Sequence, residues 1–358
     1  MVKTRIIKLQ NPLAPTAADK EALQEAGEII QNGGLVAFPT ETVYGLGGDA
    51  LNPASSRAIY AAKGRPSDNP LIVHIADLRD AARVADMSRP EARILAERFW
   101  PGPMTLVLPA LETVPRETTG GLDTVAVRMP SDPTAAELIC RAGGFVAAPS
   151  ANLSGRPSPT DAEHVIQDLE GRVDAIIDGG DNPIGLESTI VDLTVPDPMI
   201  LRPGYITPEM LSEALGRKVD LDPAILSMAA DAKPKAPGMK YRHYAPKGSL
   251  TIVKGSPDAV VERINELLEE AAKAGKKTGV IATRELVSRY KADVIYCVGS
   301  AGDETEVGHN LYRILRKMDD EGVEVICSEA FADSGFGRAV MNRLRKAAGG
   351  MMIEVSVP

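Results

Sequence analysis

Apolar positions fall into two regimes along the chain. Up to residue 215, short and wholly apolar runs alternate with loops rich in hydroxyls and glycine, whereas from Leu250 onward such runs alternate regularly with helical patterns. In the first regime, residues 35–38, 71–75, 104–108, 125–129, 145–148, 174–178 and 188–192 read as strands, and a further strand ends just before Arg202. Thr16 and Asp19 frame a capping box, after which Leu23, Ala26, Ile29 and Ile30 recur at helical spacing until Asn32-Gly33-Gly34 stops the helix. Asn52 as N-cap and Pro53 at the first helical position open a helix that reaches Ala62, and other helices are expected near 78–85, over 90–99, from Asp132-Pro133 through Arg141, and over 208–215. Residues 40–49, rich in hydroxyls and glycine, are expected to form a binding loop whose amides can approach a ligand closely. In the second regime, strands at 250–253, 278–282, 294–298, 325–328 and 352–355, with helices such as 258–274 and 308–321 between them, predict a small parallel doubly wound domain.

Between the regimes, residues 222–246 are rich in Pro, Ala and Lys and read as a linker. Lys240, Tyr241, Arg242, His243 and Tyr244 are unusual for a plain tether, and their charges and rings suit a lid over a base and its phosphates. A length of 358 residues accommodates about two domains with their own cores, and 4% aromatic content suits an aliphatic α/β interior. A net charge of −9 argues against a protein coated in nucleic acid. The three cysteines, Cys140, Cys297 and Cys327, lie far apart with no CxxC, which fits a reducing compartment and excludes a sequence-evident zinc ribbon. With no apolar run approaching the roughly 18 residues of a membrane span, a cytoplasmic location is expected.

The candidate chemistry sits where strands end. Lys63 and Arg65 lie on a loop that Gly64, Pro66, Ser67, Asp68 and Pro70 keep from being helical, with Asn69 beside them and His74 at the far end of the next strand. Gly45 to Ala50 matches the dinucleotide pattern G-x-G-x-x-A, yet six residues separate it from the preceding strand and the next helix begins beyond it, so the context for NAD is wrong. A G-x-x-x-x-G-K-[ST] phosphate loop is missing as well. Arg128 is a cation inside an apolar strand, a pattern that an outward-pointing arginine on an edge strand would also give. The loop 149–160 is full of hydroxyls and ends at a helix N-terminus, where anions are favoured. Ser150 lacks a G-x-S-x-G elbow and has only His164 nearby in sequence, so its hydroxyl reads as a ligand contact and no covalent nucleophile is expected.

Eight ordered motifs, FPTETVYGLG (38–47), KGRPSDNPLIVH (63–74), WPGPMT (100–105), LDTVAVRMP (122–130), APSAN (148–152), ESTIVD (187–192), RPG (202–204) and PGMKYRHYAP (237–246), resemble those of the two-domain threonylcarbamoyl-AMP synthases. The resemblance covers nearly the whole chain. It implies a YrdC-like twisted mixed sheet with helices over 1–216, a linker acting as active-site lid over 217–247, and a Rossmann-like domain over 248–358. It also implies that L-threonine, bicarbonate or CO2, and ATP are joined into threonylcarbamoyl-AMP and pyrophosphate, for a separate transferase that modifies adenosine 37 in tRNA. Carried over by position, Thr42, His74, Arg128, the backbone at Ala148, and Ser188 would hold threonine, and Arg65, Asn69, Thr124, Ser150, Ser158, Arg202 and Tyr241 would hold ATP. Lys63 is added as a phosphate neighbour on its own chemistry. Mg²⁺ is expected through the ATP phosphates, with no dedicated metal cage in the protein. Other readings are an RNA-binding module of the same type without catalysis, a carbamoyl transferase of hydrogenase maturation, whose zinc-finger cysteines are not visible here, and a nicotinamide oxidoreductase. Tight direct binding of nucleic acid is not expected, because no Lys/Arg stripe runs along the chain.

Overall fold

Strands covered on both faces need apolar side chains in both directions, and the short apolar runs take up that position in the structure. The computed structural model describes residues 2–225 and 244–355; the expected lid residues 240–243, Tyr241 among them, lie outside the described residues. The chain divides into two compact units whose described parts are residues 2–154 with 158–225, and residues 155–157 with 244–355.

The first unit is built on one mixed sheet. Its strands are β1 (Arg5–Lys8), β2 (Val36–Phe38), β3 (Gly45–Asp49), β4 (Ile72–His74), β5 (Met104–Pro109), β6 (Thr124–Arg128), β7 (Val146–Ala147), β8 (Ala175–Asp178), β9 (Thr189–Asp192), β10 (Met199–Arg202) and β11 (Asp220–Leu221). They are ordered β1-β8-β2-β3-β7-β4-β6-β5-β9-β10-β11. Helix Ala17–Gln31 starts at the expected capping box, with the Asp19 amide donating to Thr16 Oγ1 at 3.2 Å and the Thr16 amide donating back to Asp19 at 2.9 Å. That helix and Pro133–Arg141 supply Leu23, Ala26, Ile30, Leu138 and Ile139 to a core under one half of one sheet face, against Val36, Phe38, Val146 and Ala175. The opposite face carries the larger core, where Val73, Leu106, Val127 and Val191 meet helical residues such as Ile59, Leu95, Val165 and Leu211.

Three local expectations change. The glycine-rich run expected as a loop is partly strand: β3 pairs antiparallel with β2 and β7. Its glycines serve packing, since a Cβ on Gly47 would lie 2.9 Å from both the Phe38 ring and Val146. The helix expected near 78–85 is a 3-10 helix, Leu78–Arg83. Residues 220–221, expected to belong to the linker, pair in parallel with β10.

The second unit holds β12 (Ser249–Lys254), β13 (Thr278–Thr283), β14 (Val294–Gly299), β15 (Val325–Glu329) and β16 (Met352–Glu354) in the order β14-β13-β15-β12-β16, all pairings parallel. Several backbone amides at the carboxyl edge of this sheet already donate to carboxylates of their own chain: Thr283 to Glu329 at 2.8 Å, Ser300 to Glu306 at 2.9 Å, and Gly337 to Glu304 at 2.7 Å. Among the described residues no helix is long and apolar enough to cross a membrane.

Gly47→Ala tests the packing account of β3. The added methyl should lower the unfolding free energy of the first unit by about 1 to 3 kcal/mol in urea titrations, because Phe38 and Val146, both fully buried, would have to shift; an unchanged midpoint would contradict it.

Candidate active site

Residues paired directly across strands point to the same face of a sheet, so register alone assembles the site. His74 pairs with Val146 on one side and with Arg128 on the other, Arg128 pairs with Thr105, Thr105 with Ile190, and Ile190 with Arg202. One row crossing β7, β4, β6, β5, β9 and β10 therefore carries an imidazole, two guanidiniums and a hydroxyl. Val146 belongs to the helix-covered core, whereas further along the same face the apolar cluster consists of Ile72, Ala126, Val107, Ile190 and Leu201, strand residues only. The polar row lies beside that small apolar floor.

Arg128 sits on a central strand and is 4% exposed, so the edge-strand reading is excluded. Its Nη2 lies 2.8 Å from Glu41 Oε2, an ion pair with both side chains buried. The contact is close but poorly aligned: Nε and Nη2 of Arg128 and both carboxylate oxygens of Glu41 make no hydrogen bond among the described residues. Glu41 is held by its loop, where Ile184 donates to the Glu41 carbonyl at 3.1 Å, Gly185 donates to the Thr42 carbonyl at 3.1 Å, and the Asn182 amide donates to the Thr40 carbonyl. Thr42 is fully buried, its amide donating to Thr40 Oγ1 and its hydroxyl 2.9 Å from the same atom.

His74 Nδ1 donates to the Ile72 carbonyl at 3.1 Å. Burial, reinforced by the Arg128 charge, lowers its pKa to about 3, so the ring is a neutral group at working pH. Asp132 caps the helix Pro133–Arg141 by accepting from Ala135 at 2.8 Å. Burial first, and the negative charge of Glu41 among smaller causes, push its carboxyl up to about 6.

At the other end of the row, Ser188 Oγ is 2.7 Å from Thr105 Oγ1, and Arg202 donates to Ser188 through Nη2 to Oγ at 3.1 Å and through Nε to the carbonyl at 3.0 Å. Ser158 is fully buried and its hydroxyl donates to Glu187 Oε1 at 2.5 Å, which ties the loop 149–160 to the Ser188 side. Ala148 follows β7 and donates its amide to the Ile72 carbonyl at 2.9 Å. Thr124 opens β6, four residues before Arg128 and thus on the same face.

The remaining expected residues cluster at the end of helix Pro53–Lys63. Lys63 is 2% exposed, and its ammonium donates to the carbonyls of Ser150, at 2.5 Å, and Asn152. Its charge thus clamps the loop carrying Ser150, whose hydroxyl bonds Asn152 Oδ1 at 2.5 Å. Arg65 Nη2 donates to the carbonyls of Asn69 and Pro70, both at 3.2 Å, and Asn69 Oδ1 is buried without a partner among the described residues. Sequence reasoning passed over Glu41, Thr105, Asp132 and Glu187. The available signal for Glu41 was a lone carboxylate between two threonines directly after a buried strand.

The raised Asp132 has a consequence for stability with a definite sign. Its folded pKa of about 6 exceeds the ordinary 3.8, so its contribution is fully present below the ordinary value and is lost as pH rises through about 6. Asp132→Asn keeps a capping acceptor and carries no charge. Relative to the native chain, the variant's melting temperature should therefore climb between about pH 4 and 7; a gap independent of pH would count against the burial argument.

Comparison with known proteins gives matches along the whole chain. A family profile described as "Telomere recombination" covers residues 28–204, and one described as "Threonylcarbamoyl-AMP synthase, C-terminal domain" covers 206–349. The threonylcarbamoyl-AMP synthase of Pyrococcus abyssi is 49% identical over 330 residues, 92% of this chain and 95% of that protein, and the Bacillus subtilis enzyme of the same name is 46% identical over 332 residues, 92% and 94% of the two chains. The crystal structure of Pyrococcus abyssi Sua5 complexed with L-threonine superposes with a TM-score of 0.92 at 47% identity, covering 98% of this chain and all of that one. The aligned row of buried cations and hydroxyls and the parallel second sheet thus occur together in a chain that belongs to the threonylcarbamoyl-AMP synthase family, in its two-domain form.

Proposed function

We propose that the row on the first sheet joins L-threonine, CO2 drawn from bicarbonate, and ATP into threonylcarbamoyl-AMP and pyrophosphate, the adenylate then serving a downstream transferase that modifies adenosine 37 of tRNA in the cytoplasm. Family membership makes the chain an enzyme of the nucleotidyltransferase type and favours this over an RNA-binding module without catalysis. The observation that carries the reading is Arg128, a deeply buried guanidinium with donors lacking aligned partners, set in a row with a neutral imidazole and a second buried arginine.

In this reading the threonine carboxylate takes the Arg128 fork, with His74, Thr42, Ser188 and the backbone at Ala148 around it. The ammonium group gives up two protons to water in all as its nitrogen bonds CO2 to form a carbamate, and a carbamate oxygen attacks the α-phosphorus as the bond to pyrophosphate breaks. No covalent enzyme intermediate is needed. The protein contributes proximity and fixed positive charge, the terms that dominate phosphoryl-type transfer. Arg202 and Arg65, with Asn69, Thr124, Ser150 and Ser158, face the triphosphate and nucleoside, and Lys63 stiffens the Ser150 loop behind them. Mg²⁺ enters as part of the nucleotide substrate; among the described residues no three His, Cys, Asp or Glu side chains gather to hold it. On its sequence alone, the linker beyond β11 is proposed as the lid that brings Tyr241 to the nucleotide; residues 220–221 of the expected segment 217–247 belong to the sheet.

Pyrophosphate release from ATP should require both L-threonine and bicarbonate, and activity independent of either would refute the reading. Arg128→Lys, which keeps the charge but loses the fork, should raise KM for threonine by about 10-fold or more with a much smaller change for ATP; equal changes for both substrates would displace Arg128 from the amino-acid site. Tyr241→Ala should weaken ATP handling with the melting temperature unchanged, and native ATP kinetics would remove the lid role.

A further inference from the structure

Arg128 was the expected carboxylate anchor, and its placement beside Glu41 adds a second charge of opposite sign to the same pocket. Glu41 is 6% exposed, and neither of its carboxylate oxygens makes a hydrogen bond among the described residues. A buried carboxylate left without aligned donors is costly, and its neighbour Arg128 has the complementary deficit at Nε and Nη2. Anchoring of the loop does not explain where the Glu41 side chain is placed. The loop around Glu41 is already pinned through the carbonyls of Thr40, Glu41 and Thr42, so the side chain adds no hydrogen bond to the scaffold. An α-amino acid carries the two groups that would complete both partners, a carboxylate for the guanidinium and an amine for Glu41.

We propose that Glu41 is the amine-binding residue of the site, so that Glu41 and Arg128 together read the zwitterion of the amino acid. The inference rests on the threonine reading above and adds a contact to it. Before ligand arrives, Glu41 holds the Arg128 charge; on binding, the incoming carboxylate takes over the guanidinium and Glu41 turns to the amine. Amino-acid selection then depends on a residue that also competes with the ligand carboxylate. Among the described residues, Asp132, which feels the charges of both Glu41 and Arg128, and the neutral His74, which feels that of Arg128, also face the pair.

This exchange predicts opposite responses from two ligands. Calorimetry on the full chain would compare L-threonine with 2,3-dihydroxybutanoate, in which a hydroxyl replaces the amine, for the native protein, Glu41→Gln and Glu41→Asp. Glu41→Gln should weaken L-threonine by about 10- to 100-fold, the range of one charge-assisted hydrogen bond, while the amine-free analogue binds as well as before or better, because its competitor for Arg128 is neutralised. Glu41→Asp should recover part of the threonine affinity. Equal losses for both ligands would mean that Glu41 only supports the fold, and unchanged threonine affinity would overturn the contact outright. Crossed responses in a chain that releases no pyrophosphate would support the amine contact and sink the nucleotidyl-transfer reading; pyrophosphate release with unchanged threonine affinity in Glu41→Gln would do the reverse.

Discussion

Burying a guanidinium in the middle of a sheet costs several kcal/mol unless an opposite charge goes in with it. Arg128 is placed at the end of a central strand with Glu41 as its ion partner, and much of the first unit follows from keeping that pair in position. The Glu41 loop must be rigid, which the bonds from Asn182, Ile184 and Gly185 provide. The sheet must be mixed, because a parallel β4–β6 pair beside an antiparallel β6–β5 pair brings His74, Arg128 and Thr105 level at one end. The low dielectric that makes the pair expensive also makes it strong toward a charged ligand.

Around this pair the hydroxyl loops are fastened and not free. Lys63 holds the Ser150 loop by its carbonyls, Ser158 is joined to Glu187, and Arg202 is braced on Ser188. Side chains held in this way lose little freedom when a substrate arrives, which suits the proposed action by alignment. The second unit has the architecture of a nucleotide-binding domain, yet amides at its carboxyl edge are already occupied by Glu304, Glu306 and Glu329. Carboxylates at that edge disfavour a phosphate there, which supports the proposed seat of the nucleotide in the first unit.

The second unit was legible in the sequence because parallel strands buried on both faces are continuous apolar runs, and all five appear within a residue or two of their expected places. Much of the first sheet was legible for the same reason. β3 was not, because its glycines look like a flexible loop until Phe38 and Val146 are seen filling the space above them. The short strand Arg5–Lys8 was also missed, since its place depends on pairing with β8, about 170 positions away. Arg128 announced itself as a charge among valines, but only register shows that His74 and Thr105 stand beside it, and the lone carboxylate between Thr40 and Thr42 does not show in sequence that it faces Arg128. The role expected for Lys63 looked outward to a phosphate, while its ammonium faces backbone carbonyls, a partner that no sequence pattern displays.

The proposed function requires one sheet and its loops to align an amino acid with a triphosphate. A crystal structure of the chain with L-threonine and a non-hydrolysable ATP analogue tests it most directly. The account predicts the amino-acid carboxylate on Arg128 and the phosphates against Arg65 and Arg202 within a single cavity, with the α-phosphorus turned toward the amine. Ligands bound on separate faces, or a nucleotide seated in the second unit, would contradict it.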